Sequence, residues 1–429
     1  MYLFIYRYFL YPFLYLSFKL LAIFNPKIKL AFALRKPINS TPPWLKSSLA
    51  SRPVWFHCAS GEFEYAKPVI NALKIKYPGI KILVTYFSPS VVDSIEKFKN
   101  VDFYCPVPWD HPKALQDFLT HHAPRALLIA RTDAWPEMLM QAKEMKIPSL
   151  LFSATISNQS SRMNWFAKNF TAWTLQNLSE IHCVSEDDFA NFERLNLGSI
   201  TKVCGDTRYD QVIDRLKNPK PIKDALFRHK PSEKILVAGS TWPEDEAVLL
   251  QMIKTSLGKR LNYRFVLVPH EPSDAHISSL RQKAQSLNIT TELYSEQETW
   301  SPKSVLIVNQ IGILAEIYAY ALVAFVGGSF RKSVHSVMEP LAAGCISLVG
   351  PKHKNNREAL FMKSVALQSN PKIKPVMEMK KAQDFITLLK EIEKKDLAET
   401  SKEIQKLVQS RAGEATEKVL LWLKPYLNS

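Results

Sequence analysis

Residues 323–351 read VAFVGGSFRKSVHSVMEPLAAGCISLVGP, a stretch that combines two strand-length apolar runs, a glycine loop and a helical pattern. The first run ends at Gly327 and Gly328, where the missing Cβ lets the backbone turn or approach a ligand closely. The second run, 346–349, ends at a Gly-Pro turn. Five of the chain's 12 glycines fall between 312 and 350, so the loop region is distinctive. This order of elements predicts a parallel α/β sheet with a ligand-binding loop at its carboxyl edge.

A short helix is predicted between these two strands. His335, Ser336 and Glu339 lie within about one helical turn, so Ser336 is the predicted N-cap and Glu339 completes a capping box. Gly344 is predicted to end the helix. Helix N-termini at the carboxyl edge of a parallel sheet favour anionic ligands. From the residues alone, Glu339 is either a cap of its own helix or a group that contacts a ligand.

The motif GGSF, followed by HSVMEPLAAG and a final GP, resembles the donor-binding segment of the Kdo transferases. Members of that family transfer 3-deoxy-D-manno-oct-2-ulosonic acid (Kdo) from CMP-Kdo to a lipid A precursor. His335, Glu339 and Pro340 match the family pattern, whereas Ser336 replaces an Asn and the loop is one residue shorter. The resemblance implies a GT-B glycosyltransferase, in which two Rossmann-like domains face a cleft and the second domain binds the donor.

A first α/β domain is predicted from the alternation of short apolar runs with amphipathic helical patterns. Strands are predicted at 54–59, 81–87, 101–107, 126–130 and 148–154, and helices at 63–76, 91–98, 112–121 and 137–144. This alternation is typical of a doubly wound parallel sheet. No GxGxxG follows the first strand, so the dinucleotide-binding fingerprint is absent.

Glu62 follows the first predicted strand directly, within the sequence Ala-Ser-Gly-Glu. A carboxylate at a helix N-terminus has a structural explanation in the helix macrodipole. The tetrapeptide also resembles the family's Ser-x-Gly-Glu motif, in which the glutamate is the proposed general base. The resemblance therefore implies that Glu62 removes the proton of the acceptor hydroxyl, with Ser60 and Gly61 beside the acceptor.

Two further segments resemble acceptor-side motifs of the family. Residues 130–138, ARTDAWPEM, resemble ExELWPN, with Asp133 retained and Arg131 in place of the first glutamate. Residues 153–160, SATISNQS, resemble NARLSERS but lack both arginines, and Arg162 lies close enough in sequence to substitute. The resemblance implies that Asp133 and Arg162 contact the acceptor.

A second α/β unit begins with KILVAGST at 234–241, where two hydroxyls and loop N–H groups before an acidic helix suit an anion. GDTRYD at 205–210, FVLVPHEPSD at 265–274 and VNQIGILAEIY at 308–318 resemble further family motifs, although the donor-side arginines are missing and Ile313 replaces a glutamate. The segment 205–210 is equally well explained as a solvated turn. The resemblance implies a donor site formed by Arg208, Ser240, Thr241, His270, Gly312, Gly328, His335, Ser336 and Glu339.

The N-terminal segment carries a strong membrane signal. The first 61 residues hold eight basic side chains and no acidic one, and residues 2–24 contain ten Phe and Tyr residues. Basic residues interleaved with aromatics favour an anionic membrane over nucleic acid, for which no groove-reading motif appears. The uncharged run 8–18 is shorter than the ~20 residues of a span, while Arg7 and Lys19 near its ends can snorkel. We predict an anchor that is either interfacial or a marginal span.

The basic flank after the anchor places the rest of the chain on the cytoplasmic side of the inner membrane. Five cysteines without a CxxC pair agree with reduced thiols there. The predicted order is an anchor with its basic flank at 1–36, an acceptor domain at 37–210, a linker at 211–232, a donor domain at 233–400 and a C-terminal helix at 401–429.

These features predict an inverting transferase that uses CMP-Kdo as donor and a lipid A precursor, lipid IVA, as acceptor. Neither a cofactor nor a metal ion is expected, because no His and carboxylate cluster stands at ligand spacing. Two alternatives stay open: a related GT-B transferase with another nucleotide sugar, and a non-catalytic descendant that binds glycolipid. Retention of both Glu62 and Glu339 argues against the second alternative.

Overall fold

The computed structural model describes residues 1–35, 52–228, 233–354, 356–393 and 395–427. The predicted boundary at 36/37 and the end of the predicted linker, 229–232, lie outside the described residues. The chain divides into two compact units, one formed by Met1–Gln211 with Arg411–Ser429 and the other by Val212–Ser410. Each unit contains a seven-stranded parallel sheet, which is the Rossmann-like architecture expected from the sequence.

The first unit is built on the strand order β3-β2-β1-β4-β5-β6-β7. Its strands are β1 (Val54–His57), β2 (Ile82–Tyr86), β3 (Phe103–Pro106), β4 (Ala126–Ala130), β5 (Ser149–Ala154), β6 (Glu180–Cys183) and β7 (Thr201–Val203). Its helices are α1 (Tyr2–Phe24), α2 (Pro26–Leu34), α3 (Phe63–Lys76), α4 (Val92–Glu96), α5 (Pro112–His122), α6 (Pro136–Glu144), α7 (Trp165–Leu175) and α8 (Glu186–Glu193), and α9 (Thr207–Lys217) crosses the division between the units.

The second unit has the strand order β10-β11-β9-β8-β12-β13-β14. Its strands are β8 (Lys234–Thr241), β9 (Tyr263–Pro269), β10 (Thr291–Leu293), β11 (Val305–Ile307), β12 (Val323–Val326), β13 (Ile346–Val349) and β14 (Val376–Glu378). Its helices are α10 (Asp224–Phe227), α11 (Pro243–Gly258), α12 (Asp274–Ser286), α13 (Leu314–Tyr318), α14 (Met338–Ala342), α15 (Arg357–Ser364), α16 (Ala382–Glu393) and α17 (Ala398–Gln409). The last helix, α18 (Glu414–Leu427), belongs to the first unit.

Both sheets have fully buried central strands, which explains why they appear in the sequence as continuous apolar runs. In the first sheet, β1 pairs in parallel with β2 and β4, and His57 lies opposite Ile129. In the second, β12 pairs with β8 and β13, and Val326 lies opposite Gly239. Loops that follow neighbouring parallel strands therefore meet at one carboxyl edge in each sheet.

The five strands and four helices predicted between residues 54 and 154 are confirmed, with ends shifted by a few residues. The strands predicted at 234–241 and 346–349 are confirmed as well. All five cysteines are free, and burial raises the pKa of each thiol. The expectation of reduced, buried thiols therefore agrees with the structure, except that Cys105 is only half-buried.

Three local predictions are wrong. The capping box is not formed, because α14 begins at Met338 with Val337 as its N-cap and without a capping side chain. The single terminal helix is two helices, α17 and α18, separated at Gly413, whose φ of 92° breaks the helical run. The first residues of the predicted linker continue α9, an amphipathic helix whose charged face resembles a loop in composition.

The return of α18 to the first unit has a clear physical cause. Val419, Leu420 and Leu423 are buried in the apolar cluster under β1, where they pack with α3. The Asp210 carboxylate on α9 accepts hydrogen bonds from the N–H groups of Gly413 and Thr416. Apolar burial and a charged cap thus hold the end of the chain on the first sheet.

Candidate active site

Glu62 lies at the carboxyl edge of the first sheet, where sequence reasoning placed a reacting group. It is half-buried, precedes α3 as its N-cap residue, and accepts a hydrogen bond from the N–H of Ser60 at 2.8 Å. The Ser60 hydroxyl contacts Ser90 Oγ at 3.1 Å in the loop after β2. Gly61 is exposed, and a side chain there would meet open space. The carboxylate is therefore held over its own loop and open to solvent on one side.

A histidine and an aspartate form the neighbouring part of this edge. His57, the last residue of β1, is fully buried, and its Nε2 lies 3.3 Å from Asp133 Oδ2. Its Nδ1 lies 2.9 Å from Thr85 Oγ1 on β2. Burial raises the pKa of Asp133, but the interactions with His57, assisted by Trp135 and the Arg162 charge, outweigh it and hold that pKa below its usual value. Asp133 is therefore a carboxylate at neutral pH.

Sequence reasoning identified Asp133 but missed His57. The available signal was a polar ring at the last position of an otherwise apolar strand, five residues before Glu62. A buried polar side chain at a strand end needs a partner, and here Thr85 and Asp133 supply it. His57 thereby fixes the orientation of the Asp133 carboxylate.

Arg162 lies in the same region as Asp133, and its predicted contact with the acceptor stays a prediction. Its Nη1 donates to the Thr132 carbonyl oxygen at 2.6 Å. Burial lowers the pKa of Arg162, while the charge of Asp133 opposes that shift. The arrangement places one positive and one negative group close together at this edge of the sheet.

Two more cations flank an aromatic ring in the first unit. The guanidinium carbons of Arg131 and Arg208 lie 5.2 and 5.3 Å from the centre of the Tyr65 ring, on the first turn of α3. Arg208 also lies 3.3 Å from the Tyr65 hydroxyl. Arg208 thus lies in the unit that carries Glu62, and its predicted contact with the donor stays a prediction.

In the second unit, the glycine loop after β12 packs against the loop after β8. A Cβ on Gly327 would collide with the Ser240 carbonyl oxygen, and Gly328 has a φ of 86°. The Asp245 carboxylate accepts hydrogen bonds from the N–H groups of Gly328 at 2.7 Å and Phe330 at 3.0 Å. The N–H of Gly328 is therefore already bonded within the unit.

Asp245 is a residue that sequence reasoning missed. It occupies the third position of α11 and also accepts from the N–H of Trp242 at 3.0 Å, so one carboxylate joins both loops. Thr241 is also engaged internally: it is fully buried, and its hydroxyl donates to Glu246 at 3.0 Å. The predicted contact between Thr241 and the donor is not supported, because its hydroxyl lies inside the unit.

Two of the predicted donor residues, His270 and His335, come together beside Trp242. The imidazole centroids lie 4.3 Å apart at an angle of 22°, and Trp242 Nε1 donates to His335 Nε2 at 3.1 Å. Burial, assisted by the nearby His270, lowers the pKa of His335 to about 4. The Arg331 guanidinium carbon lies 3.7 Å from the Trp242 ring centre. This cluster offers aromatic surface, a neutral imidazole and one cation to a ligand.

Ser336 lies directly after this cluster, and its hydroxyl accepts from the N–H of Met338 at 3.3 Å. Two other predicted donor residues are linked through Arg215 on α9. Arg215 Nη1 lies 3.0 Å from Glu339 Oε1, and Nη2 lies 3.2 Å from the Gly312 carbonyl oxygen. The same guanidinium bonds both carboxylate oxygens of Glu316, at 3.3 and 3.2 Å.

Neither Arg215 nor Glu316 was predicted to be part of the site. Burial raises the pKa of Glu316. The hydrogen bond and charge of Arg215 lower it by more, so the net shift is downward. A signal existed in the sequence, since Glu316 stands one helical turn after Ile313, which occupies the position of a family glutamate. Among the residues that the structure describes, no group of three or more His, Cys, Asp or Glu side chains is arranged to hold a metal ion.

Comparison with known proteins points to one family. The family model for 3-deoxy-D-manno-octulosonic-acid transferase (kdotransferase) matches residues 31–211. A 3-deoxy-D-manno-octulosonic acid transferase from Rickettsia felis is 26% identical over 349 residues, which cover 80% of this chain and 72% of the relative. One from Haemophilus influenzae is 25% identical over 388 residues, 87% of each chain. These matches support membership of the Kdo transferase family.

The chain has the GT-B fold of a glycosyltransferase. A UDP-GlcNAc 2-epimerase from Neisseria meningitidis, solved with bound UDP-GlcNAc, aligns with a TM-score of 0.59 over 87% of this chain and 99% of the epimerase. The two proteins are 16% identical, so the alignment supports the fold alone. The alignment confirms the predicted fold class, and the family matches support the predicted glycosyltransferase class.

The N-terminal helix α1 lies lengthwise on the first unit. Tyr6 is buried and donates to Asp110 Oδ2 at 2.5 Å, and Arg7 bonds both carboxylate oxygens of the fully buried Glu137, at 2.9 and 2.6 Å. Arg7 was predicted to snorkel towards a membrane surface, and this is wrong because Glu137 pairs with it. Tyr15 contacts Trp109 with ring centroids 5.3 Å apart, so the contacts continue along the helix.

The opposite side of α1 is apolar and exposed. Its exposed large side chains include Phe4, Phe9, Phe13, Leu16, Leu20 and Phe24. At 23 residues, α1 is also the one helix among the described residues that is long and apolar enough to cross a membrane. An exposed face of this size is typical of a surface that meets a membrane or a protein partner.

Proposed function

We propose that the enzyme transfers Kdo from CMP-Kdo to the lipid A precursor lipid IVA, with inversion at the anomeric carbon of the sugar. The observation that carries the proposal is the position of Glu62, a half-buried carboxylate directly after β1 in a member of the Kdo transferase family. Its carboxylate is tied to the Ser60 N–H and remains open on one side. A base in this position suits an acceptor hydroxyl that must lose its proton.

Each group in the first unit has a role in this proposal. The acceptor oxygen attacks the anomeric carbon while Glu62 takes its proton, and the bond to the CMP phosphate breaks with the electron pair leaving on CMP. Asp133, oriented by His57, accepts hydrogen bonds from the acceptor sugar. Arg162 meets a negatively charged group of the acceptor, because its guanidinium is already placed beside Asp133.

The second unit holds the nucleotide sugar. Glu339, held by Arg215, accepts hydrogen bonds from ribose or sugar hydroxyls. Arg331 and the neutral His335 meet the phosphate, and Trp242 supports a ring by stacking. Cationic and dipolar groups of this kind can stabilise a leaving phosphate, so the proposal requires no resident metal ion or cofactor.

The enzyme acts at the cytoplasmic face of the inner membrane, attached by α1 as an interfacial helix. The interfacial arrangement is favoured over a span because Tyr6, Arg7 and Tyr15 hold the helix against the first unit over most of its length. The exposed aromatic and aliphatic face then enters the headgroup and acyl boundary. Lys27 and Lys29, on the next helix, add attraction to an anionic leaflet.

A second candidate function is transfer from another nucleotide sugar. It is favoured by the differences in the donor loops, where family arginines are missing near His270 and Ile313 replaces a family glutamate. Loops that have lost such charged groups can select a different sugar. The acceptor side, with Glu62 and Asp133, is compatible with both donors.

The test is transfer in vitro with a defined acceptor. Purified enzyme is incubated with lipid IVA and either CMP-Kdo, generated in place by a synthetase, or a panel of other nucleotide sugars. Mass spectrometry of the glycolipid reads the outcome. The proposal predicts a mass gain of one or more Kdo residues with CMP-Kdo alone, and a gain only with another donor supports the second candidate. No product from any donor contradicts both.

A further inference from the structure

A buried carboxylate lies one helical turn after Trp242 in the second unit. Glu246, in the first turn of α11, is 1% exposed and accepts a hydrogen bond from the Thr241 hydroxyl at 3.0 Å. His276 Nε2, on α12, lies 3.0 Å from each of the two Glu246 carboxylate oxygens. A carboxylate held out of water to this extent needs an opposite charge and hydrogen-bond donors, and His276 can supply both.

The second nitrogen of the same imidazole also faces an acceptor. His276 Nδ1 lies 3.0 Å from the carbonyl oxygen of Glu271, an atom that can only accept. A neutral imidazole carries hydrogen on one nitrogen, so it would turn the lone pair of the other towards a carbonyl or a carboxylate. The side chain is 15% exposed, so water is a poor substitute for either partner. Both contacts are favourable at once only when both ring nitrogens carry hydrogen, as in an imidazolium.

These contacts close a ring of hydrogen bonds between two loops of the candidate donor site. The loop after β8 contributes Thr241, whose carbonyl oxygen accepts from the N–H of His270 at 2.9 Å. The loop after β9 contributes His270 and the next residue, Glu271, to which His276 is bonded. The His276 ring then leads back through Glu246 to the Thr241 hydroxyl. The His276 and Glu246 pair therefore ties the loop after β9 to the loop after β8.

The two tied loops carry aromatic groups proposed to meet the nucleotide sugar. The His270 ring centroid lies 4.9 Å from that of Trp242 and 4.3 Å from that of His335. His270 is exposed, so side-chain packing does little to hold its ring. The position of the ring is set mainly by the backbone of its loop, which the His276 contact holds.

We infer that His276, paired as an imidazolium with Glu246, positions His270 against Trp242 for binding of the nucleotide sugar. His276 is a positioning residue, since it acts through the loop that carries His270. The inference rests on the proposed function, because it assigns a support to the cluster that the proposal gives to the donor. Loss of either member of the pair leaves the other without its partner and releases the loop after β9.

The first test reads the protonation of the ring and does not depend on transfer. Nitrogen NMR of histidine-labelled enzyme at pH 7, assigned by comparison with His276→Gln, distinguishes a protonated from an unprotonated ring nitrogen. We expect both nitrogens of His276 to carry hydrogen. An unprotonated Nδ1 or Nε2 would overturn the inference, whether or not the Kdo transfer proposal holds.

The second test measures nucleotide binding by calorimetry and the kinetic constants for the donor. We expect His276→Gln to weaken CMP binding about tenfold and to raise KM for CMP-Kdo by a similar factor, with kcat within about twofold of wild type. Arg281→Gln is the matched control, because it removes a positive charge from an exposed position on the same helix. It should leave CMP affinity and KM near wild type.

Glu246→Gln tests the pair itself and provides a second variant if His276→Gln has a lowered melting temperature. Because the two residues act as one unit, the double variant should lose no more CMP affinity than the weaker-binding single variant. Unchanged CMP affinity in folded His276→Gln, or additive losses in the double variant, would overturn the inference. If transfer requires another nucleotide sugar, the nucleotide of that donor replaces CMP and the same losses are expected.

Discussion

Arg215 Nη1 lies 3.0 Å from Glu339 Oε1, so a residue at the start of the second unit holds the carboxylate that the family resemblance assigns to the donor. The same guanidinium binds Glu316 in a two-bond contact. An arginine shared between two carboxylates fixes their orientation. Glu339 is therefore oriented by its neighbour on α9 and not by the capping of its own helix.

Glu339→Ala should weaken CMP binding more than it slows the chemical step, because the carboxylate meets hydroxyls in the ground state and the transition state alike. Arg215→Ala should reduce CMP affinity about fivefold, while Arg215→Lys should recover part of it. Calorimetry with CMP, together with KM for the nucleotide sugar, measures both effects. If Glu339→Ala binds CMP as tightly as wild type but melts at a lower temperature, Glu339 only stabilises α9 through its contact with Arg215.

Asp133→Asn should raise KM for the acceptor and lower kcat by about tenfold, because the amide keeps the shape of the side chain but loses the charge that faces His57 and Arg162. Donor affinity should stay unchanged, since Asp133 lies in the first unit. Steady-state kinetics with each substrate varied in turn separates the two effects. A change in donor KM alone would contradict this assignment.

The pH dependence of stability should reveal Asp110. Burial, together with the neighbouring Glu137 charge, raises the pKa of Asp110 to about 6, although hydrogen bonds from Tyr6 and two N–H groups oppose the shift. Because the folded state binds this proton more tightly than the unfolded state, the contribution to stability is present below about pH 4 and is lost as the pH rises towards 6. A shift of this size corresponds to about 2–3 kcal/mol.

Asp110→Asn cannot titrate, so it isolates this contribution from those of other carboxylates. The free energy of unfolding of wild type relative to Asp110→Asn should fall by about 2–3 kcal/mol between pH 4 and pH 7. Chemical denaturation at several pH values measures it. A constant difference between the two proteins across this range would show that Asp110 does not change protonation on unfolding.

Membrane attachment should depend on the outer face of α1. Wild type should stay bound to vesicles with anionic lipid at high salt, because apolar burial is not screened. Replacing Leu16 and Leu20 by Glu should release the protein, since both are exposed and neither supports the contacts made by Tyr6 and Arg7. Sedimentation with vesicles at low and high salt gives the result. If high salt alone releases the wild type from the vesicles, the role of α1 is only to pack on the first unit.

The sheet architecture and the edge that carries Glu62 could be predicted because they follow from local patterns. Apolar runs of strand length, each followed by an amphipathic helix, fix the order of elements without knowledge of distant contacts. The roles of Asp245 and Arg215 could not be predicted in this way. Asp245 bonds Gly328, 83 residues away, and Arg215 bonds Glu339, 124 residues away. Contacts of that separation depend on how the loops meet, which no periodicity encodes.

The helix α1 shows a different limit of sequence reasoning. Its composition predicted a membrane anchor, and the exposed face agrees with that prediction. Composition could not reveal that Tyr6 and Arg7 pair with Asp110 and Glu137, because the partners lie more than 100 residues away. A tyrosine suits a membrane interface and can equally donate a buried hydrogen bond. The sequence therefore does not distinguish these two environments.

The most direct test of the account is the rate of Kdo transfer by Glu62→Gln. The rate is measured in a single turnover with CMP-Kdo and lipid IVA, followed by mass spectrometry of the glycolipid. Wild type and Glu64→Gln are the comparisons. Glu64→Gln is the matched control, because Glu64 lies two residues after Glu62 and pairs with Lys67. We predict that Glu62→Gln is about 10²–10⁴-fold slower with unchanged CMP affinity and melting temperature, and that Glu64→Gln stays within a few-fold of wild type. A Glu62→Gln rate within a few-fold of wild type would contradict the assignment of Glu62 as the general base.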